Sequence, residues 1–132
     1  MKNSVLWIIV AAVLVGYFYR DITGKPLTSS SDNIYINKAL QRTANEQNRK
    51  LPMVFKGGEW SRVSSGNMRL THYYRLRTPH QSKSSLYSSV RKGACADPYI
   101  SKLIEQGVTI EYKYKNYNNT RLFDFTINSS NC

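Results

Sequence analysis

From residue 34 onward, apolar positions recur first at helical spacing and then at the two-residue spacing of strands. Apolar or small residues three and four apart predict a helix over residues 34–51. Pro52 ends this helix, because the residue before a proline avoids helical backbone angles. The apolar stripe consists of Ile36, Ala39, Leu40, Thr43, Ala44 and Leu51. Because the stripe is narrow, we expect the helix to pack on a sheet.

Two alternating runs follow this helix and predict a hairpin. Residues 59–63 form a short strand and residues 68–77 a longer one, joined through the turn residues Gly66 and Asn67. One face of the longer strand carries Met68, Leu70, His72, Tyr74 and Leu76, and the other carries Arg69, Thr71, Tyr73, Arg75 and Arg77. We expect the first face to lie in the core, with His72 as a hydrogen-bonded structural histidine.

The second half of the chain predicts more helix and two further strands. Residues 86–94 have helical spacing, and Asp97 and Pro98 restart a helix as its cap and first residue, with Gly107 ending it. Alternation over residues 108–115 and 122–127 predicts the last two strands. The fold class is therefore α+β, with element order α-β-β-α-β-β, an antiparallel four-stranded sheet and helices on one face.

The N-terminal segment is apolar and separate from this domain. Residues 5–19 carry no charge, and aromatic residues at both ends are typical of membrane-interface anchors. The run of 15 residues is shorter than the roughly 17–25 apolar residues of a spanning helix, so the alternatives are a cleaved secretory signal and a buried helix of a soluble protein. We predict a membrane anchor over residues 1–20, a flexible polar linker over residues 21–33 and an extracytoplasmic α+β domain over residues 34–132.

Cys95 and Cys132 are the only two cysteines. Behind an export-type segment, such a pair indicates a disulfide, whereas two free thiols in the cytoplasm are the alternative. Lys2 and Arg20 on the two sides of the apolar segment leave the positive-inside rule nearly balanced. The cysteines therefore decide the orientation and favour a single-pass protein of a bacterial inner membrane with its C-terminal domain in the periplasm. Two cysteines and two distant histidines do not form a metal site at any usual spacing.

The C-terminal block carries a longer pattern around these cysteines. It consists of Cys95-x-Asp97-Pro98, Leu103-Ile104-x-x-Gly107-Val108-Thr109-Ile110-x-Tyr112-x-Tyr114, Phe125-Thr126-Ile127 and a final Cys132. From about residue 39 to residue 132, the chain resembles uncharacterised bacterial envelope proteins that have a membrane anchor and a C-terminal two-cysteine α+β domain. The resemblance implies a fold and a location in the envelope. It carries over no activity and no functional residue.

The formal net charge of +11 lies almost entirely on the folded part of the chain, since Lys2 is the only basic residue before Arg20. Such an excess favours anionic partners. No pair of acids has the spacing of a general acid and base, and no glycine-rich phosphate loop is present. We therefore expect no enzymatic activity, no cofactor and no small-molecule substrate.

The outward strand faces hold the candidate binding residues, which are Arg69, Tyr73, Arg75, Arg77, Lys113 and Lys115. Basic residues beside exposed aromatic rings are typical of polyanion binding, but an ordinary solvated sheet face has a similar composition. Our hypothesis is a membrane-anchored periplasmic binding or structural module that contacts another envelope protein through this basic face. The alternative is a polyanion binder for anionic lipid, cell-wall polymer or transferred DNA.

Overall fold

The computed structural model describes the backbone of residues 30–132 and the side chains from residue 33 onward. The elements are, in order, α1 (Ser30–Asn48), β1 (Met53–Phe55), β2 (Gly58–Gly66), β3 (Arg69–Leu76), α2 (Lys83–Ala96), α3 (Pro98–Glu105), β4 (Thr109–Asn116) and β5 (Arg121–Ile127). The predicted α+β class is confirmed. Within the described residues, no helix has the length and apolarity needed to span a membrane. The anchor predicted over residues 1–20 lies outside the described residues.

The sheet has five strands in the order β1-β2-β3-β4-β5, with β3 and β4 parallel and the other pairs antiparallel. The prediction of an antiparallel four-stranded sheet is therefore wrong in two respects. The additional strand is β1, which has three residues and pairs Val54 with Glu59 of β2. The parallel pair arises because residues 77–108, with two helices, return the chain to the end of the sheet where β3 begins. Parallel neighbours need such a long crossover.

All three helices contribute to one core with the inward face of the sheet. Ile36, Leu40 and Ala44 of α1 lie in a single cluster with Trp60, Leu70 and Ile110 of the strands, and with buried residues of α2 and α3. The predicted stripe of α1 is confirmed from Ile36 to Ala44, while Gln47 takes the last buried position in place of Leu51. Since the helices lie on this face, the opposite face of the sheet is left open by residues 30–132.

The β2–β3 hairpin turns one residue later than the sequence predicted. Its loop residues are Asn67 and Met68, whose φ angles of 53° and 60° are those of a type I′ turn. The amide of Met68 donates to Oδ1 of Asn37 at 2.6 Å, which ties the turn to α1. A register shift between Trp60 and Arg62 of β2 then places Arg62 on the open face, opposite Tyr73.

The predicted disulfide is confirmed between Cys95 and Cys132, which are 37 residues apart with their Cα atoms 5.4 Å apart. It joins the end of α2 to the last residue of the chain. The helix restart is also confirmed, because Oδ1 of Asp97 accepts hydrogen bonds from the amides of Tyr99 and Ile100 at 2.9 and 3.1 Å. These contacts fix α2 and α3 as the crossover that makes β3 and β4 neighbours.

Candidate binding face

The open face of the sheet places basic side chains of three adjacent strands side by side. In one row, Arg62, Tyr73 and Lys113 are register partners across β2, β3 and β4. In the next row, Arg75 of β3 is the register partner of Lys115 of β4. The sequence hypothesis required these strands to adjoin, and they do.

Tyr73 lies at the centre of this face and is covered by cations. The guanidinium carbon of Arg62 lies 3.8 Å from the centroid of the Tyr73 ring, and Nζ of Lys113 lies 5.9 Å from it. Ser64 donates a hydrogen bond to the Tyr73 hydroxyl oxygen at 3.2 Å. The ring therefore supports a positively charged surface through cation–π contacts rather than offering a bare face for stacking.

Three acidic residues border the basic rows. Two of them form ion pairs, and the third, Glu59 of β2, is the register partner of Arg75. Arg69 forms an ion pair with Glu111 at 3.2 Å, and Glu111 also accepts a hydrogen bond from Thr71. Arg121 contacts both carboxylate oxygens of Asp124, at 2.8 and 2.7 Å. The hydrogen bond from Arg121 is the main cause that lowers the pKa of the Asp124 carboxyl group.

Four cations between these acids form no ion pair with any acidic residue of the described chain. They are Arg62, Arg75, Lys113 and Lys115. We call these four residues together with Tyr73 the cationic patch. Although Glu59 is the register partner of Arg75 and Asp124 that of Lys113, none of the four cations forms an ion pair within the described chain. The patch is therefore the strongest candidate on this face for contact with an anion.

Two shallow depressions, of about 270 and 110 Å³, overlap at the cationic patch. Both are lined by Arg62, Tyr73, Lys113 and Lys115. The larger one also reaches Arg121 and Asp124, and the smaller one reaches Arg75. The patch is therefore concave and combines charged groups with the ring of Tyr73.

The structure separates the six predicted binding residues into groups. Tyr73, Arg75, Lys113 and Lys115 come together in the cationic patch, whereas Arg69 is paired with Glu111. The guanidinium carbon of Arg77 lies 5.1 Å from the centroid of the Tyr117 ring, beside a different depression of about 360 Å³. A binding role for any of the six residues stays a prediction.

Sequence reasoning missed Arg62, although the sequence carried a signal for it. Counting back from a two-residue turn at residues 67 and 68 pairs Gly66 with Arg69 and Arg62 with Tyr73. The turn predicted at Gly66 and Asn67 lies one residue too early and does not pair Arg62 with Tyr73. Arg121 was also missed, because β5 begins one residue earlier than the alternation indicated.

His72 lies in the core and does not line either depression of the cationic patch. Its ring stacks on Tyr112 with centroids 5.3 Å apart, and it is only 1% exposed. Burial lowers the pKa of His72 to about 3, so the ring is neutral at physiological pH. The predicted core position is confirmed, but the predicted hydrogen bonds are wrong, since neither ring nitrogen has a partner within the described chain.

The fold is similar to solved structures of bacterial secretion proteins. The pilotin EpsS of the Vibrio vulnificus type II secretion system has a TM-score of 0.67 at 16% identity, covering 74% of this chain and 91% of that one. The type II pilotin AspS of Vibrio cholerae has a TM-score of 0.64 at 14% identity, covering 74% and 92%. The chain has a pilotin-like fold.

A candidate secreted protein from Pseudomonas aeruginosa shares this pilotin-like fold, with a TM-score of 0.70 at 16% identity over 80% of this chain and 99% of that one. No protein-family model and no curated protein matches the sequence. At these identities the likeness concerns the fold alone. The sequence analysis expected a resemblance to bacterial envelope proteins, and these neighbours agree with it as far as the fold is concerned.

Proposed function

We propose that this chain is an envelope protein-binding module of the pilotin type, which contacts a protein of a bacterial secretion apparatus. The observation that carries the proposal is the fold likeness to two type II secretion pilotins, which extends over 91% and 92% of their chains. The role is one of binding rather than catalysis. It requires an accessible surface, and the open face of the sheet offers one.

The location belongs to the same proposal. A disulfide between Cys95 and Cys132 suits an oxidising compartment such as the periplasm. The apolar residues 1–20 hold the module at the inner membrane as a single-pass anchor. In this arrangement the partner is another protein of the envelope, and the domain meets it from the periplasmic side.

The contact surface in this proposal is the cationic patch. Three observations support it: the helices cover the opposite face, four cations form no ion pair within residues 33–132, and the patch is concave. Charge complementarity across an interface increases the association rate and selects the partner. An envelope protein with an acidic surface therefore fits this face.

Site-specific photocrosslinking in intact membranes tests the proposal. A photoreactive residue replaces Arg75 or Lys115 on the open face, or Lys38 of α1 or Lys92 of α2 as controls on exposed helix positions. We expect one and the same envelope protein to be captured from both sheet positions and from neither helix position. Capture from the helix positions alone contradicts the contact surface, and capture of no envelope protein from any position contradicts the proposed function.

Polyanion binding is a second candidate, because the four unpaired cations lie in a chain of formal charge +11. A polyanion that neutralises several cations releases counterions, so its affinity falls steeply with salt concentration. We expect that, if this candidate holds, retention on a phosphate polymer is lost as sodium chloride rises from 50 to about 200 mM. Retention that is weak at low salt contradicts it.

A further inference from the structure

The cationic patch has a definite size, which limits what it can bind. Its cations occupy two neighbouring rows on three strands. Strands lie about 4.8 Å apart, and alternate residues along one strand are roughly 6.6 Å apart. Three acidic residues limit these rows. Glu59 is the register partner of Arg75, Asp124 is that of Lys113, and Glu111 lies two residues before Lys113 on β4, so each repels further negative charge. The patch therefore accommodates a few anionic groups, about 5–7 Å from one another, and not a long row of them.

Carboxylates of an extended peptide match this spacing. Side chains at alternate positions of a strand lie on one side and roughly 6.6 Å apart, so two or three acidic side chains reach both rows together. Arg62 and Arg75 each offer a fork of N–H donors that suits a carboxylate, and Lys113 and Lys115 add compact charges.

Nucleic acid fits the same face less well. Binding of single strands draws much of its energy from bases that stack on open aromatic rings. The only aromatic ring shared by both depressions that faces outward is that of Tyr73, and Arg62 already covers it at 3.8 Å. A base would have to displace this guanidinium, whereas a carboxylate can bind its N–H groups while the ring contact stays in place.

We infer that the cationic patch binds an extended acidic segment of the partner protein, with carboxylates at alternate positions contacting Arg62, Arg75, Lys113 and Lys115. This inference rests on the proposed function, since it names the chemistry of the partner for the same surface. The segment lies along β3 and β4, and its recognition depends on side-chain charge rather than on added strand pairing.

The binding of a defined peptide to the full chain in detergent tests the inference. The probe is a fluorescein-labelled peptide of four Glu-Ser repeats, followed by fluorescence anisotropy at low and physiological salt. We expect saturable binding, and at least tenfold weaker binding after Arg75→Glu with Lys113→Glu. The matched control, Lys38→Glu with Lys92→Glu, causes the same change of net charge on the helices and leaves the affinity within twofold.

Several results would overturn the inference. Equal weakening of peptide binding by both double variants would mean unspecific charge attraction. Tighter binding of an eight-residue oligothymidylate or of phosphatidylglycerol vesicles than of the peptide would point to a different ligand. The absence of saturable peptide binding would also contradict the inference. If the charge-reversed variant does not fold, the double variant Arg75→Gln with Lys113→Gln replaces it. Circular dichroism checks that this second variant is folded. If crosslinks from Arg75 and Lys115 persist while the peptide fails to bind, the inference falls and the proposed function stands.

Discussion

The guanidinium of Arg62 lies over the ring of Tyr73 at 3.8 Å from its centroid, on the open face of the sheet. The two residues are register partners on β2 and β3. A bulge after Trp60 brings Arg62 to this position, so an irregularity of the backbone helps to build the cationic patch. The contact holds the charge of Arg62 beside that of Lys113 without an acidic residue between them.

We expect Arg62→Ala to lower the free energy of unfolding by about 0.5–1 kcal/mol, because an exposed cation–π contact is lost. Chemical denaturation followed by circular dichroism measures this change. Arg42→Ala on α1 is the control, since Arg42 is exposed and forms no ion pair or side-chain hydrogen bond with the described residues. It should change stability by less than about 0.5 kcal/mol. Equal effects of both variants would contradict a stabilising role for the contact between Arg62 and Tyr73.

Asn48, the last residue of α1, takes the place of a missing strand beside β2. Its carboxamide donates to the carbonyl of Val63 at 2.8 Å and accepts from the amide of Val63 at 2.9 Å. Strand β1 pairs only with residues 58–60, so Val63 has no strand neighbour on that side. We expect Asn48→Ala to lower the free energy of unfolding by about 1–2 kcal/mol, because two part-buried hydrogen bonds to the backbone of Val63 are lost.

The exposed Asn45 of the same helix is the control for this effect. Asn45→Ala should leave stability nearly unchanged or raise it slightly, since alanine is the better helix former. Equal losses for the two alanine variants would contradict a specific role for the hydrogen bonds between Asn48 and Val63.

Local sequence patterns predicted much of this fold, but they did not predict which distant strands pair. Alternation assigned Leu70, Tyr74 and Ile110 to the core, and the residues at 97 and 98 predicted the restart of a helix. The parallel neighbours β3 and β4 could not be predicted from local pattern, because strand direction depends on where the crossover of residues 77–108 returns the chain. Strand β1 has too few residues for its alternation to be recognised.

The candidate site was predictable only in part, for a related reason. Alternation placed Tyr73, Arg75, Lys113 and Lys115 on outward faces, and the register brought them together. Whether each cation forms an ion pair depends on its neighbours on adjacent strands, and the alternation along a single strand does not show which residues these are. Arg69 was therefore predicted with the others, although Glu111 of β4 pairs with it.

The disulfide should contribute substantially to stability. A crosslink between residues 37 apart lowers the conformational entropy of the unfolded chain. This stabilises the folded state by roughly 3–4 kcal/mol. We expect added reductant to lower the free energy of unfolding by this amount. The fold should still persist at low temperature, because Asn131 also holds the chain end through bonds to Tyr87 and to the carbonyl of Thr126.

A variant with Cys95→Ser and Cys132→Ser is the control for reduction. It should have the stability of the reduced wild-type protein and should not respond to reductant. Mass spectrometry after alkylation without reductant should find no modified thiol in the wild-type protein. Two alkylated cysteines at that step would contradict both the disulfide and the periplasmic location.

Buried His72 should make stability depend on pH. Burial against Tyr112 and Trp60 lowers the pKa of the folded state to about 3, whereas an unfolded histidine has its ordinary pKa of 6.5. Between these values the unfolded chain binds a proton that the folded chain excludes. Stability is therefore complete above pH 6.5 and falls by about 1.4 kcal/mol per unit as the pH drops toward 3.

Urea unfolding at pH 7, 6, 5 and 4 measures this dependence. His72→Phe keeps an aromatic ring in the core and removes the titrating group, so the slope due to residue 72 should disappear. His80, which lies in a loop, provides the comparison: His80→Phe should retain the slope. An unchanged slope in His72→Phe would show that other groups cause the acid sensitivity.

The central claim is that the open, cationic face of the sheet is the contact surface for an acidic segment of a partner. Mapping amide chemical shifts of the ¹⁵N-labelled full chain, while the Glu-Ser peptide is added, tests it most directly. We expect the amide resonances of the cationic patch to shift and those of α1 and α2 to stay unchanged. The patch residues are Arg62, Tyr73, Arg75, Lys113 and Lys115. Shifts confined to the helices, with β3 and β4 unaffected, would contradict it.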